Sequence, residues 1–413
     1  MKQNDVSPTL TLLTPEAVRQ RCLEVFVAAE ANALNFFQLN KKNFDAAVEL
    51  VGAEIISNYP NGNVPFHSRW RHFEYGGQDF WHEASFKLVK NSKAEVARSQ
   101  IDLAVISVLL DAGAGPDWSF VDTKSGVTFG RSEGLAIASL RLFELGLLSQ
   151  YGLDDPLRVD AAQLKNITPK ILASVFQVTE SNPLVGLEER AELLNKLGRA
   201  LMKHKHIFEF GGALRPGNLY DYFLQRQEKG VLAAREILIA ILEGMGEIWP
   251  DGSWVDSIAI GDAAYHEAVK RSDITDGIVP FHKLSQWMSY SLIEPLQVAG
   301  MKINNLDALT GLAEYRNGGL FIDTGTISLR DKTELGKLHD PKSPLIVEWR
   351  ALTVTLLDQL AEQIRQHTNT NSESMPLVSI LQGGTWSAGR RIAQRLRADA
   401  SPPLRLKSRG TIF

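Results

Sequence analysis

The chain has 413 residues, 44% of them hydrophobic and 22% charged, with 44 lysines and arginines against 48 aspartates and glutamates for a net charge of −4. Such a composition suits a globular protein with a sizeable core. It argues against a disordered chain and against a general polyanion binder, which carries a basic balance. The one cysteine, Cys22, cannot make an internal disulfide and fits a reducing compartment; it falls at an apolar helical position, as a buried, inert thiol would.

Residues 1–12 read as a lead-in. Thr14-Pro15-Glu16 starts a helix with a capping hydroxyl, a proline at the first helical position and an acid near the positive end of the dipole. A second helix is predicted over residues 44–56, ended by turn formers at 58–63. Pro65-Phe66-His67-Ser68-Arg69-Trp70-Arg71-His72-Phe73 follows, dense in aromatic and cationic groups. His67, Arg69, Arg71 and His72 suit either an anion such as phosphate, through the guanidinium fork, or an amphipathic loop with solvated charges. An apolar helix over 93–110 ends at Asp111, before the small-residue run Ala112 to Pro116 and Trp118. Glycine spacing there matches no dinucleotide or P-loop signature. Asp111 and Asp117 are candidates for acid–base work or hydroxyl binding, and equally for a helix end and a turn. A small β-hairpin is predicted over 119–130, turning at Lys124-Ser125-Gly126.

Arg131-Ser132-Glu133-Gly134 opens the next helix, with Ser132 as its expected cap. Short helices are expected over 154–180, another from 186 to 202, and one continuous helix from Leu219 to Gly244. His204 and His206 read as surface residues. His266 is expected on a short helix. Phe281-His282-Lys283 opens an apolar helix, and Asn304 or Asn305 is expected to cap its partner, which would contain Glu314. A long helix over 345–364 and a final one over 386–398 complete the count. The latter carries Arg390, Arg391, Arg395 and Arg397, and the tail adds Arg405, Lys407 and Arg409. The fold class is mainly α. Polar stretches mark no firm domain boundary, so a single large helical domain is expected over 1–413. No apolar run approaches ~18 residues and the first residues lack a signal-peptide core, which makes the cytoplasm the expected location.

Two residues stand out for chemistry. In Leu309-Thr310-Gly311-Leu312-Ala313-Glu314-Tyr315-Arg316, a carboxylate, a phenol and a guanidinium stand side by side. A carboxylate in a closed pocket stabilises a developing oxocarbenium ion or activates water. Lys283, about thirty residues earlier, would hold an anionic group, orient the carboxylate or act as an amine nucleophile. Lys and Glu on two helices also commonly lie on solvated faces, but the uncharged surroundings of Glu314 and the following Gly318-Gly319 favour a site. No serine-hydrolase elbow and no zinc motif is present, so neither metal nor cofactor is expected.

Several segments together resemble a family linked to uracil catabolism in fungi and bacteria: residues 65–73, Leu109-Leu110-Asp111-Ala112-Gly113-Ala114-Gly115 and Arg131-Ser132-Glu133-Gly134-Leu135-Ala136. The resemblance spans nearly the whole chain. More distantly, the chain is similar to the queuosine-nucleotide salvage glycosylases, which share a helical fold with DNA glycosylases. Those proteins have Ala-Asp-Tyr-Arg where this chain has Ala313-Glu314-Tyr315-Arg316, and Phe-Tyr-Lys where it has Phe281-His282-Lys283. The resemblance implies Glu314 as catalytic carboxylate and Lys283 as its partner. Asp111 and Trp118 keep the spacing of a substrate-pocket Asp and Trp, and Glu188-Glu189-Arg190 and Glu348-Trp349-Arg350 match recurring segments. Glutamate in place of aspartate adds a methylene and moves the carboxylate. The run Ala112 to Pro116 replaces an aromatic segment, which implies a pocket reshaped for something other than a large flat base.

What the resemblance implies is therefore a DNA-glycosylase-like helical fold. Residues 1–130 would carry substrate-binding segments and 131–413 the glycosylase-like helices. In the implied pathway the uracil ring opens while still attached to ribose phosphate, so a later step must release urea from the sugar. The expected activity is hydrolysis of the N-glycosidic bond of a ribosylurea or its 5-phosphate. Glu314 and Lys283 would be catalytic, and Asp111, Trp118, Tyr315, Arg316, His67, Arg69, Arg71, His72 and Glu133 would bind substrate. The expected partner is a small nucleoside or nucleotide, with no nucleic acid or membrane and with a homo-oligomer allowed. Two alternatives stand: a non-catalytic nucleotide-binding sensor, and a partner protein that gathers the pathway's enzymes. A nucleic-acid glycosylase is disfavoured by the acidic balance.

Overall fold

A computed structural model describes residues 7–407. It is mainly helical, and among the described residues every sheet has two strands. No helix among them is long and apolar enough to cross a membrane. The chain forms two compact units. One contains the chain up to His67, Gly252–Gln286 and Asn305–Lys407; the other contains Ser68–Asp251 and Trp287–Asn304.

In the first unit the Pro344–Thr368 helix is central. It packs on Pro15–Glu30, Phe44–Asn58 and Tyr315–Asp323, and the last of these packs on Trp386–Leu396. Local chemistry sets the ends of these helices. Thr14 Oγ1 accepts the N–H of Ala17 at 3.2 Å, with Pro15 in the first turn. Cys22 is buried in that helix, and burial pushes its thiol up, so it is inert. Just before the last helix the backbone widens into one π turn, Leu381–Thr385. There Gly383 and Gly384 press against Val64, Ile55 and Val51, where a Cβ would collide. Short strand pairs join the helices: Phe37–Leu39 with Ile327–Leu329, and Ala263–Tyr265 with Ile278–Pro280.

The second unit is built on Lys93–Leu110, which is buried on all sides from Ser99 onward and packs on Arg131–Glu144 and Leu187–Lys203. A helix buried all round has little amphipathic signature. Its one deep charge, Asp102, pairs with Arg215, both essentially unexposed. The hairpin Ser119–Asp122 and Val127–Gly130 is present as expected.

Four local expectations are corrected. The stretch 219–244 is two helices, Leu219–Leu224 and Ala234–Met245. Lys229 and Gly230 at positive φ and a strand at Val231–Ala233 interrupt it, because that strand pairs with distant Lys302–Asn304. Gly130 rather than Ser132 precedes the Arg131–Glu144 helix, with no side-chain cap. His266 follows a strand instead of lying on a helix, and its Nε2 lies 3.6 Å from the buried Glu348 carboxylate. Asn305 caps only a 3₁₀ turn, and the helix after it begins at Tyr315. Of the C-terminal cations, Arg391 pairs with Glu54 and Arg397 with Asp323, while Arg409 lies outside the described residues.

Candidate active site

The Lys283–Val298 helix starts at an unusual turn. His282 sits at φ +50°, fully buried, although a side chain disfavours that region. Asp262, just after the Ile258–Gly261 strand, holds it there. The Asp262 carbonyl accepts the N–H of Phe281 at 2.9 Å and of His282 at 3.1 Å, and its carboxylate accepts the N–H of Lys283 at 3.1 Å. Arg350 grips the same carboxylate with both ends of its fork, at 2.8 and 2.6 Å, and lies over the Phe281 ring. Burial alone would raise the Asp262 pKa; the Arg350 charge and hydrogen bonds overcome it and hold the group at about 2. The His282 ring donates from Nε2 to the Leu12 carbonyl at 2.8 Å, and burial lowers its pKa, disfavouring the charged form.

Glu314 is the N-cap of the Tyr315–Asp323 helix. Its two carboxylate oxygens accept the N–H groups of Arg316 at 2.7 Å and Asn317 at 2.6 Å. Burial raises its pKa. The two backbone N–H groups, then the charges of Lys283 and Arg316, pull the other way without reversing the shift. Lys283 is thus close enough to act electrostatically on Glu314, and the two candidate catalytic groups belong to one neighbourhood. Buried side chains fix that neighbourhood from two directions. Gln286, one turn after Lys283, donates to Thr310 Oγ1 at 2.9 Å. Asn317 donates to the Leu312 carbonyl at 3.1 Å and accepts from Thr385 of the π turn at 2.8 Å. A π turn placed where it serves a candidate site fits the general tendency of such turns.

His67 belongs to the same unit. Its Nδ1 pairs with Gln382 of the π turn at 2.9 Å. Burial lowers its pKa; the Gln382 bond opposes this and the Lys283 charge adds to it, which disfavours the charged form that an anion would need. The Arg316 guanidinium lies over the Tyr315 ring and donates to the Ala400 carbonyl at 2.8 Å.

The other expected site residues lie in the second unit. Arg69 is fully buried: its Nε donates to Ser107 Oγ at 2.6 Å and its Nη1 lies 2.8 Å from Asp111 Oδ2. Burial lowers the Arg69 pKa, opposed by the charges of Asp111 and then Glu133, which brings these three together. Arg71 pairs with Glu294 at 2.7 Å, and the His72 ring meets Trp287 edge-on. Trp118 is buried against Phe176 and donates its indole N–H to the Phe176 carbonyl at 3.0 Å. Arg190 clamps the small-residue run after Asp111, donating to the carbonyls of Leu110, Ala112, Val185 and Gly186. Burial lowers its pKa to about 10 against the pull of Asp111 and Glu189.

Sequence reasoning passed over Asp262, Gln286, Gln382 and Asn317, and did not find the work of Arg350. Only Arg350 had a signal, its place in Glu348-Trp349-Arg350. Glu348 there accepts the N–H groups of Asn35, Phe36 and Phe37 at 3.0 Å each. Trp349 packs under Gly318. Among the described residues no group of three or more His, Cys, Asp or Glu is placed to hold a metal ion.

A family model described as "Protein of unknown function (DUF1688)" matches residues 11–413. The chain is 37% identical over 411 residues to "Protein urg3" of Schizosaccharomyces pombe, covering 97% of this chain and 98% of that protein. It is 36% identical over 436 aligned residues to "Uracil catabolism protein 4" of Lachancea kluyveri, covering 96% and 97%. A short match, 34% identical over 92 residues, reaches "Queuine tRNA-ribosyltransferase" of Pseudomonas syringae pv. tomato over 22% of this chain and 24% of that protein.

Proposed function

The chain belongs to the DUF1688 family, and on that premise we propose that it acts in uracil catabolism as an N-glycoside hydrolase, releasing urea from a ribosylurea or its 5-phosphate. A relative over nearly the whole chain named for uracil catabolism supports the pathway. The observation that carries the reaction is Glu314: a carboxyl raised by burial, held on a helix N-terminus, within reach of the Lys283 charge. In this reading the C1′–N bond breaks and its electron pair goes to the urea nitrogen. Water forms the new C1′–O bond. Glu314 faces the positive charge developing on the sugar and takes the proton that water loses, and the urea nitrogen receives a proton in turn. The Lys283 ammonium donates to the urea carbonyl as it leaves. Each carboxylate oxygen has a second lone pair beyond the one its helix N–H uses, so capping and catalysis are compatible.

One feature favours a second reading. Both Glu314 oxygens already satisfy helix N–H groups, and a non-catalytic binding protein would show the same cap. Urea release from synthetic ribosylurea and ribosylurea 5-phosphate decides between them, with wild type and Glu314→Gln measured in parallel. Urea from wild type and at least a hundredfold less from a folded Glu314→Gln is the expected outcome, since a group that meets transition-state charge is worth about that much. No urea, with a raised melting temperature in the presence of one compound, identifies a sensor. Equal turnover by both proteins removes Glu314 from the mechanism.

A further inference from the structure

We propose that the Asp262–Arg350 pair is the positioning element of this site, setting where the Lys283 ammonium stands relative to Glu314. A run of contacts leads from one group to the other. The Lys283 N–H binds Asp262 Oδ2 at 3.1 Å, and Asp262 is held by both ends of the Arg350 fork. Arg350 Nε in turn points at the Ala313 carbonyl at 3.4 Å, the residue immediately before Glu314. The last contact is long, the Lys283 bond is of ordinary length, and the Arg350 fork between them is short and charge-assisted. Arg350 is therefore the residue that touches both the anchor of Lys283 and the peptide leading into Glu314.

The start of the Lys283–Val298 helix shows why such an anchor is needed. A lysine carries four rotatable bonds, so where its ammonium can reach depends first on how the backbone is aimed. Here the backbone is aimed by a left-handed His282, a conformation that a β-carbon makes costly and that persists only when its surroundings over-determine it. Asp262 supplies that determination through three hydrogen bonds to consecutive N–H groups, of Phe281, His282 and Lys283. Deleting the carboxylate removes the Lys283 bond and the Arg350 contact while the carbonyl bonds to Phe281 and His282 remain, and deleting the Arg350 fork frees the carboxylate to turn; either change loosens the Lys283 end of the turn. Neither residue touches the expected reacting atoms in this account, so both act through Lys283. The consequence for turnover rests on the proposed hydrolase reading, whereas the geometric claim does not.

The test separates the two. Lys283 in the full-length protein is labelled with a water-soluble acetylating reagent across pH, and the labelling midpoint is read by peptide mass spectrometry against Lys302. The comparison is made for wild type and Glu314→Gln, then for Asp262→Asn and Asp262→Asn with Glu314→Gln. If Asp262 aims Lys283 at Glu314, removing Glu314 shifts the midpoint down in the wild-type background, and that shift shrinks severalfold in the Asp262→Asn background. A merely structural Asp262 would leave the shift intact, and an equal shift in both backgrounds overturns the proposal. Arg350→Lys, which keeps the charge and loses the fork, gives the same readout if Asp262→Asn does not fold. In the urea assay either variant lowers kcat by roughly a hundredfold with little change in KM, the size expected when a catalytic group is misplaced by about 1 Å. Loss of the labelling shift without urea release by wild type upholds the positioning role and rejects the reaction; urea release with an intact shift upholds the reaction and rejects the role.

Discussion

Gly318 offers a sharp test of how the Glu314 helix is held. A Cβ built on Gly318 would stand 2.7 Å from Cε2 and Nε1 of Trp349 and 2.8 Å from Thr353 Oγ1. Neither neighbour has room to give: Trp349 is 2% exposed, Thr353 is 1% exposed, and the Thr353 hydroxyl is fixed on the Trp349 carbonyl at 2.7 Å. Overpacking of this kind costs about 1–3 kcal/mol, and three contacts under 3 Å place it near the upper end. Replacing glycine by alanine inside a helix returns about 1 kcal/mol. Gly318→Ala is therefore expected to lower stability by roughly 2 kcal/mol. Gly319→Ala is the matched control. Its Cβ meets only the Pro403 ring, at 3.1 Å, so the helical gain and the crowding nearly cancel and the change stays within about 1 kcal/mol of zero. Urea denaturation followed by tryptophan fluorescence measures both variants side by side. Displacing the helix start also moves its cap, so urea release should fall in Gly318→Ala and not in Gly319→Ala. A Gly318→Ala protein as stable as Gly319→Ala would refute the close approach of this helix to Trp349.

Other expectations follow from the same contacts. The Glu314 carboxyl binds its proton more tightly folded than unfolded, so the stability it contributes is present at low pH. That contribution falls as pH rises from about 4 through the raised native value. Glu314→Gln should lose that slope, measurable by denaturation across pH. Lys283→Met should move the His67 titration up toward the ordinary histidine range, because the Lys283 charge is one of the causes holding it down; a two-dimensional NMR titration reads this, and an unmoved His67 separates the two residues. In the second unit, Asp102→Asn should destabilise by about 1–3 kcal/mol, since it leaves the buried Arg215 with Glu95 as its remaining carboxylate and weakens acceptors for Val159 and Gly217. Arg190→Lys should cost about 1–3 kcal/mol in a thermal or urea melt, because an ammonium cannot replace the fork that joins the carbonyls of Leu110 and Ala112 to those of Val185 and Gly186.

Local sequence signals determined much of the helical skeleton. Thr14-Pro15-Glu16, the apolar spacing of Phe44 to Ile55, and the turn formers inside 119–130 act over a few residues, so the elements they mark stand where the sequence places them. The motifs around Glu314 and Lys283 were also visible, and so was the family. What the sequence could not supply is every contact that depends on distant segments. The break within 219–244 exists because Val231–Ala233 pairs with Lys302–Asn304, and that pairing overrides a run that is helical by local preference. Glu314 reads as a helix-interior residue until the real start at Tyr315 makes it a cap. The Lys283 N–H is held by Asp262, twenty-one residues before it, and Asp262 in turn by Arg350, eighty-eight residues further along the chain. Arg69 and Arg71, which look like free anion binders, meet Asp111 and Glu294. Hydrophobic period and capping are properties of one segment and survive in one dimension. The protonation and aim of a buried charge are set by what else is buried beside it, and only the folded chain decides that.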